Sequence, residues 1–444
     1  MFRRKVFEQL KDWKKNWSGK YAVLLQGARR VGKSTIAENF ARENYRSYIR
    51  VDFSQITDEL LGVFDDINNL DIFFLRLQAT TSIDLIERES VIIFDEIQLM
   101  PKVRQAIKHL VADGRYDYIE TGSLISIKKN IQGIVIPSEE MKINVYPMDY
   151  EEFCWACNMN YAQLSKILDY NKSIGQSTNR KLMRDFRIYM AVGGMPQAVE
   201  AYIEKKSFQQ IDFIKKKIIE LYKDDFARID SSGRIAEIYE SIPSQLALKK
   251  NKFSLRKALN KNITRMDEEL LYELIDSKTV LACYNVSEPS VSLNLTKDIG
   301  KYKLYVADIG LFTTMIFNDK RIISENIYNK LLSNKLEANL GYLYENAIAQ
   351  IIKSADRQLY YHTWYEENNN HPYEIDFLLT NNDKVVPIEV KSSEVNNHKS
   401  INEFSKKYSH CISRRILFSQ NDISHDEMLE LKPIYFAPLV IEKL

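Results

Sequence analysis

The segment GARRVGKS, residues 27–34, follows directly on an apolar run and decides how the first part of the chain is interpreted. Gly27 and Gly32 permit positive φ and let backbone N–H groups approach the β- and γ-phosphates of a nucleotide at a helix N-terminus. Lys33 is expected to neutralise phosphate charge, and Ser34 to offer its hydroxyl to Mg²⁺. A strand pattern precedes the segment and a helix pattern follows it, so the sequence predicts an ATP-binding P-loop. The predicted nucleotide-contacting residues are Gly27, Ala28, Arg29, Arg30, Val31, Gly32, Lys33 and Ser34.

A second apolar run, Val91 to Phe94, ends at Asp95 and Glu96. Ligands of open α/β sheets bind at the carboxyl ends of the strands. Asp95 is therefore expected to hold Mg²⁺ through water together with the P-loop serine, and Glu96 to act as general base toward the attacking water. Thr121 and Ser123 end the next predicted strand and are expected to sense the γ-phosphate. The alternative for this last pair is an ordinary polar turn.

The order of these patterns predicts an α/β fold with a parallel sheet wrapped by helices. An amphipathic helix over about residues 4–16 precedes the sheet, because apolar residues recur there at helical spacing. Helical periodicity follows the sheet, then short helices with two strands, then a last α/β unit. The predicted domains are a P-loop ATPase core with its N-terminal helix at 1–150, a helical lid at 151–230, a winged-helix-like module at 231–318 and a C-terminal α/β domain at 319–444.

An arginine is expected to approach the γ-phosphate and stabilise charge in the transition state. Arg104 and Arg115 are the candidates for an arginine finger in a self-assembled protein. A lid arginine, Arg184 or Arg187, is the alternative that would act within one subunit. The alternative for each of the first two, which the frequency of arginines on helix faces favours, is an ordinary surface residue.

Near the C-terminus, Asp376 lies in YEIDF, and Glu389 and Lys391 frame one valine on the following predicted strand. Positions two apart on a strand share a face, so Glu389 and Lys391 point together and Asp376 can meet them from the neighbouring strand. Glu345, on the preceding helix, is expected to complete the cluster. Carboxylate oxygens suit Mg²⁺, and a nearby lysine can position water for phosphodiester cleavage. The alternative is a salt-bridged strand pair on a solvated face.

Composition excludes several classes of protein. The chain has 444 residues, of which 27% are charged and 45% hydrophobic, close to ordinary globular averages. Lys and Arg number 62 against 60 acidic residues, so overall charge gives no nucleic-acid signature. Four cysteines give no disulfide framework, and the pair in CWAC lacks a second pair to complete a zinc site. No apolar run is long enough to span a membrane, and a cytoplasmic location is expected.

Taken together, these motifs resemble those of bacterial and archaeal AAA-type ATPases that carry a C-terminal PD-(D/E)XK nuclease-like domain of unknown function. The matching stretches are GARRVGKST, IIFDEIQ, YIETGS, YPMDYEEF, VGGMPQAV, KLYVADIGLF, LGYLYENAIAQ, YEIDFLL and PIEVKSS. The resemblance adds Thr35 to the P-loop and implies that Gly194 and Pro196 form a lid element that touches adenine. It also implies that Glu345, Asp376, Glu389 and Lys391 occupy nuclease-type positions. Gln98 is typical of the family, without a role that the sequence supplies.

Two functional hypotheses follow. In the first, ATP hydrolysis controls a Mg²⁺-dependent nuclease or DNA-binding domain, with the winged helix as a second DNA contact. In the second, the protein is a nucleotide switch of the signalling kind, and its C-terminal fold only binds partners. The intact acidic motif favours the first hypothesis, whereas the neutral overall charge favours the second.

Overall fold

The computed structural model describes residues 2–123, 137–317, 324–335, 341–365, 372–392, 398–426 and 429–444. The chain divides into two compact units. The N-terminal unit contains residues 3–146 together with 276–278, and the C-terminal unit contains residues 147–275 and 279–444. No helix among the described residues is long and apolar enough to cross a membrane.

The N-terminal unit is built on a five-stranded sheet in which every neighbouring pair of strands is parallel. The strand order is β2-β3-β4-β1-β5, which confirms the predicted parallel α/β sheet. The strands are β1 Ala22–Gly27, β2 Ser47–Asp52, β3 Ser90–Asp95, β4 Asp117–Ser123 and β5 Glu140–Asn144. Strand β3 is buried along its whole length, as its apolar sequence predicts. The sequence analysis did not predict β5, which is a partly exposed edge strand with only Met141 and Ile143 as apolar residues.

Helices cover this sheet, and aromatic side chains fill the space between them. The helices are α1 Val6–Asn16, α2 Lys33–Asn44, α3 Asp58–Val63, α4 Leu70–Thr81 and α5 Pro101–Asp113. The predicted N-terminal amphipathic helix is present as α1, whose apolar face is buried. On α2, Phe40 packs edge-on against Phe7 of α1. This contact fixes α1 behind the helix that begins at the P-loop.

The C-terminal unit begins with the predicted helical region. Its helices are α6 Tyr150–Ala156, α7 Ala162–Tyr170, α8 Gln176–Val192, α9 Pro196–Ile203 and α10 Phe208–Ile229. Helix α6 starts with a capping box: the Asp149 side chain accepts the Glu152 N–H at 2.9 Å, and the Glu152 carboxylate accepts the Asp149 N–H at 3.3 Å. This explains Asp149 and Glu152 of the YPMDYEEF motif as elements of helix initiation.

The remaining helices of the C-terminal unit flank a second sheet. They are α11 Arg234–Ala247, α12 Leu255–Leu259, α13 Arg265–Asp276, α14 Ile309–Ile316, α15 Ser324–Leu332, α16 Gly341–Ser354, α17 Lys399–Lys407 and α18 Ala437–Glu442. The strands are β6 Val280–Val286, β7 Lys297–Val306, β8 Leu359–Trp364, β9 Tyr373–Asn381, β10 Lys384–Val390, β11 Arg415–Ser419, β12 Ser424–Asp426 and β13 Leu429–Pro433.

These eight strands form one mixed sheet in the order β12-β13-β11-β10-β9-β8-β6-β7. The two strands expected in a winged-helix-like module, β6 and β7, are antiparallel to each other, and β6 also pairs in parallel with β8. A strand edge left unpaired exposes backbone donors and acceptors, so pairing β6 with β8 removes one such edge. The sheet therefore continues across residue 319, where the sequence analysis places a domain boundary.

Candidate functional site

The P-loop backbone depends on glycine at two positions. A Cβ atom on Gly27 would lie 2.2 Å from the backbone oxygen of Val145, a distance that no side chain tolerates. Gly32 has φ 98°, in the left-handed region that favours glycine, and it caps the N-terminus of α2. Backbone N–H groups at the start of α2 have no partner within the helix and carry the positive end of its dipole. The loop is thus shaped as an anion-binding helix start.

The side chains of the first turn of α2 point back into the loop and across to β3. Lys33 is buried, and its Nζ donates to the carbonyl oxygens of Gly27 at 3.1 Å and Ala28 at 2.8 Å. The hydroxyl of Ser34 donates to Oδ1 of Asp95 at 2.7 Å. The two motifs that the sequence places 61 residues apart therefore meet in one site.

Other loop residues are distributed around this centre. Val31 is buried, and its carbonyl oxygen accepts a hydrogen bond from Nη1 of Arg4 at 3.0 Å. Arg30 is exposed with φ 65°, Arg29 is partly exposed, and Thr35 is exposed on the first turn of α2. Lys33 and Ser34 thus contribute polar side chains from within the loop, and Arg4 contacts its backbone from outside.

Asp95 is the centre of a hydrogen-bond network at the end of β3, where its side chain is 2% exposed. Its Oδ1 atom accepts from the hydroxyls of Ser34 and Thr121. Its Oδ2 atom accepts from Nε of Arg50 at 3.1 Å and from Nη2 of the same guanidinium at 2.5 Å. The sequence analysis did not anticipate Arg50, which lies on β2 and reaches the site because β2 pairs with β3.

Glu96 follows Asp95 with φ 55° and ψ 45°, a left-handed conformation that is uncommon for a residue with a side chain. Its N–H donates to the hydroxyl of Thr121 at 3.3 Å. The Nε2 atom of Gln98 donates to Oε2 of Glu96. Gln98 therefore orients the Glu96 carboxylate, which supplies a physical reason for a glutamine at this position.

Strand β4 brings two more polar side chains to the same end of the sheet. Thr121 is buried and bridges Asp95 and Glu96, while Ser123 is buried and paired in register with Gly27 of β1. Glu120 is also fully buried, and neither of its carboxylate oxygens has a hydrogen-bond partner among the described residues. Burial raises the pKa of Glu120 well above its ordinary value, and the charge of Glu140 adds to the shift.

The arginine-finger candidates are engaged within the N-terminal unit. Arg104 is 2% exposed and forms a bidentate ion pair with Glu140 at 3.0 and 2.9 Å. This buried ion pair favours a structural role for Arg104, and its role as an arginine finger stays a prediction. Arg115 forms two 2.8 Å hydrogen bonds to Asp113 and one of 2.9 Å to Asp71.

The alternative arginines lie on α8 in the C-terminal unit. Arg187 donates from Nη1 to the carbonyl oxygen of Leu332 at 3.1 Å and from Nη2 to Oε1 of Gln420 at 2.9 Å. Arg184 is exposed. Of these two arginines, Arg187 has contacts that favour a structural role.

The segment that contains Gly194 and Pro196 packs tightly inside the C-terminal unit. The Gly194 N–H donates to Oδ2 of Asp308 at 2.6 Å, and its carbonyl accepts from the Met148 N–H at 2.8 Å. A Cβ atom on Gly194 would lie 2.0 Å from the Met148 oxygen. Asp308 also caps α14 through the Leu311 N–H at 2.8 Å. The glycine requirement of VGGMPQAV thus has a packing explanation, and the adenine contact of Pro196 stays a prediction.

The C-terminal carboxylates Asp376 and Glu389 lie near the start of β9 and at the end of β10, two strands that pair antiparallel. Oδ2 of Asp376 accepts the Val390 N–H at 2.8 Å, and Nζ of Lys391 lies 3.6 Å from Oε2 of Glu389. The Glu389 side chain is 3% exposed, and its Oε2 atom has no hydrogen-bond partner among the described residues. Burial raises the pKa of Glu389 to about 7, an effect that Lys391 opposes and Asp376 reinforces.

Two residues that the sequence analysis missed belong to the same neighbourhood. Lys303 of β7 is buried, and its Nζ forms a 2.5 Å ion pair with Oε1 of Glu374 on β9. Burial raises the pKa of Glu345 to about 7; the charge of Asp376 adds to this shift, and Lys303 opposes it. The described part of the chain contains no group of three or more His, Cys, Asp or Glu side chains arranged to hold a metal ion.

Comparisons with known families divide the chain into three segments. Residues 19–154 match the family model described as an AAA domain. Residues 183–321 and 340–435 match two models described as domains of unknown function, DUF8612 and DUF4143 respectively. No curated protein matches the chain. The chain thus combines an AAA-type P-loop ATPase domain with two segments whose role these families leave open.

The solved structures that match this chain are distant from it in sequence. The Walker-type ATPase of Pyrococcus abyssi is 18% identical over 71% of this chain and 96% of its own, with a TM-score of 0.41. A signal-transduction ATPase with a tetratricopeptide repeat sensor from Pyrococcus horikoshii is 13% identical over 80% of this chain and 48% of its own, with a TM-score of 0.29. AMPPCP-bound DnaA from Aquifex aeolicus is 10% identical over 74% of this chain and 92% of its own, with a TM-score of 0.25.

Proposed function

We propose that the N-terminal unit binds ATP at residues 27–35 and hydrolyses it with Asp95 and Glu96. The observation that carries the proposal is the direct hydrogen bond between Ser34 Oγ and Asp95 Oδ1, beside a left-handed Gly32 at the start of α2. That arrangement unites a phosphate-binding helix N-terminus with a buried carboxylate at the end of a parallel strand. The AAA-domain match over residues 19–154 supports the same reading.

The residues present suit Mg²⁺ as well as the triphosphate. A serine hydroxyl and a carboxylate are hard oxygen donors, which Mg²⁺ prefers over nitrogen and sulfur ligands. Ser34 and Asp95 would hold the ion, Asp95 through water. When bound, Mg²⁺ neutralises charge on the β- and γ-phosphates.

The protein side chains then have separate roles in catalysis. Lys33 exchanges its two loop carbonyl acceptors for phosphate oxygens, which places a cation where negative charge accumulates. Glu96, held by Gln98, accepts a proton from the attacking water. Thr121 holds Asp95 and Glu96 in place through its hydrogen bonds to both. Ser123 pairs with Gly27 at the carboxyl end of the sheet, the end that would face the γ-phosphate.

Phosphate release from ATP by the full chain tests this function, with Mg²⁺ and with EDTA. We expect ATP turnover in the presence of Mg²⁺ and none in EDTA. Lys33→Ala should abolish the Mg²⁺-dependent turnover, because the loop loses its buried cation. Lys102→Ala, an exposed lysine on α5, serves as the matched control. Equal turnover in wild type and Lys33→Ala would contradict the proposal.

We propose as a second function that Asp376, Glu389, Lys391 and Glu345 form a Mg²⁺-dependent phosphodiesterase site that acts on DNA. What supports it is a charge that Lys391 compensates only in part: Glu389 Oε2 is buried and has no hydrogen-bond donor among the described residues, and a cation beside it would lower the pKa of Glu389 and of Glu345. The winged-helix-like residues 231–318 are proposed as an additional DNA contact. A purely structural or partner-binding role for the cluster is the competing explanation.

Mn²⁺ titration calorimetry and a plasmid-cleavage assay, with and without ATP, separate the two explanations. The full chain is the sample, because a fragment that begins near residue 319 would lose β6 and β7 from its sheet. We expect Asp376→Ala to remove one Mn²⁺ site and to abolish cleavage while it leaves ATP turnover intact, with the exposed Asp383→Ala as control. Absence of both Mn²⁺ binding and cleavage in wild type would contradict the phosphodiesterase proposal.

A further inference from the structure

Arg50 makes its closest contacts with the carboxylate that is proposed to hold Mg²⁺. Two of its nitrogens, Nε and Nη2, approach the same oxygen of Asp95 at 3.1 and 2.5 Å. Its contacts to Glu38 and Asp52 are longer, at 3.3 and 3.4 Å, and these two carboxylates are each 29% exposed. The Asp95 side chain is 2% exposed, so this guanidinium compensates a buried charge.

The sheet explains how the guanidinium reaches this position. Arg50 is paired in register with Ile93 on β3, and Asp52 with Asp95, so Arg50 lies two residues short of the strand end. Its long side chain extends along the sheet to the carboxyl end, where the nucleotide site lies. A shorter side chain at position 50 would leave Oδ2 of Asp95 without these donors.

The two oxygens of Asp95 therefore have different partners. Hydroxyls of Ser34 and Thr121 donate to Oδ1, and the Arg50 guanidinium donates to Oδ2. A carboxylate held on both oxygens cannot rotate freely, and its charge is partly neutralised before any metal arrives. The restricted rotation fixes the geometry of the Asp95 carboxylate, and the partial neutralisation of its charge lowers its affinity for a cation.

We propose that Arg50 is a positioning residue of the ATPase site that fixes the Asp95 carboxylate and lowers the affinity of the site for a divalent cation. The inference rests on the proposed ATPase function and assigns it a residue outside the P-loop and the Asp-Glu pair. Arg50 acts through Asp95 and does not need to touch the nucleotide. Its positive charge and its forked geometry have separate consequences, which two substitutions can distinguish.

The experiment compares Arg50→Gln with Arg50→Lys in the full chain. Mn²⁺ binding in the presence of the slowly hydrolysed analogue ATPγS is followed by electron paramagnetic resonance, and kcat and KM for ATP are measured in parallel. Arg50→Gln removes the charge, so we expect Mn²⁺ to bind about three- to tenfold more tightly, because a nearby positive charge no longer repels the ion. Arg50→Lys keeps the charge but not the bidentate fork. We expect its Mn²⁺ affinity to stay within twofold of wild type while kcat falls about tenfold with little change in KM.

Arg46→Gln is the matched control, because Arg46 precedes the same strand and pairs with Glu89 at the surface, where its side chain is 71% exposed. Thermal melting of each variant checks that it folds. Unchanged or weaker Mn²⁺ binding in Arg50→Gln overturns the inference, as does wild-type kcat in Arg50→Lys. Failure of wild type to bind Mn²⁺ with ATPγS would instead contradict the proposed ATPase function, and the inference would fall with it.

Discussion

Carboxylates gather at strand ends in both units, but their surroundings differ. At the end of β3, both oxygens of Asp95 accept hydrogen bonds, from two hydroxyls and a guanidinium. At the end of β10, Oε2 of Glu389 is similarly buried, lies 3.6 Å from Nζ of Lys391 and accepts no hydrogen bond from the residues that the structure describes. The first arrangement is a preorganised site, since its donors already fix the reacting geometry. The second is a cluster whose charge is left partly uncompensated, which is the condition under which a cation or a proton binds.

The largest expected effect on ATP turnover that tests this comparison is at Ser34. Ser34→Ala removes both the donor to Asp95 Oδ1 and the proposed Mg²⁺ ligand, while leaving the loop backbone in place. We expect kcat for ATP to fall about 10²-fold, in the range measured when one preorganised polar contact is removed. Steady-state phosphate release measures it, with the exposed Ser138→Ala as control. Retention of wild-type turnover would show that the Ser34–Asp95 contact is not part of a preorganised site.

A smaller loss of activity is expected at Gln98. Gln98→Leu removes the donor to the Glu96 carboxylate and keeps a side chain of similar size in a buried position. Because Glu96 would then be less well oriented, kcat should fall about tenfold and KM should change little. Steady-state kinetics at saturating and limiting ATP separates the two constants. A change in KM alone would mean that Gln98 acts on nucleotide binding and not on the base.

The smallest effect concerns stability, and it tests the Glu389 cluster of the C-terminal unit. The pKa of Glu389 is raised to about 7 in the folded protein, so between about pH 5 and 7 the unfolded chain loses this proton while the folded chain retains it. Stability should therefore fall as pH rises through this window in EDTA. The contribution of this group is on the order of 3 kcal/mol.

Denaturant unfolding of the C-terminal unit at a series of pH values measures this slope. Glu389→Gln should make it shallower, since one of the two groups that titrate in this window, Glu389 and Glu345, is gone, whereas the exposed Glu442→Gln should not. An equal slope in wild type and Glu389→Gln would show that the Glu389 charge is compensated after all.

The sequence predicted the parts of the molecule whose chemistry is local. The P-loop spacing from Gly27 to Ser34, the apolar strand before it and the apolar run that ends at Asp95 each depend on neighbouring residues, and they led to the prediction of a parallel sheet wrapped by helices. Strand β5 was missed because an edge strand with two apolar residues has almost no periodic signal.

Residues that act through long-range pairing could not be predicted. Arg50 reaches Asp95 only because β2 and β3 pair in a particular register. Lys303 reaches Glu374 across a sheet whose order, β9-β8-β6-β7, is not the order of the chain. The role of Gln98 depends on the left-handed turn at Glu96, and a sequence pattern for that conformation in a non-glycine residue is weak.

The central claim is that the N-terminal unit hydrolyses ATP with Glu96 as general base, and Glu96→Gln tests it most directly. An amide can still hydrogen-bond the attacking water but cannot accept its proton, so ATP should bind with wild-type affinity and remain intact. Single-turnover measurement with radiolabelled ATP and Mg²⁺ follows binding and cleavage on one sample, with the exposed Glu87→Gln as control. The account predicts retained binding and cleavage slowed by about 10²-fold or more. Cleavage at the wild-type rate in Glu96→Gln, with ATP bound, would contradict it.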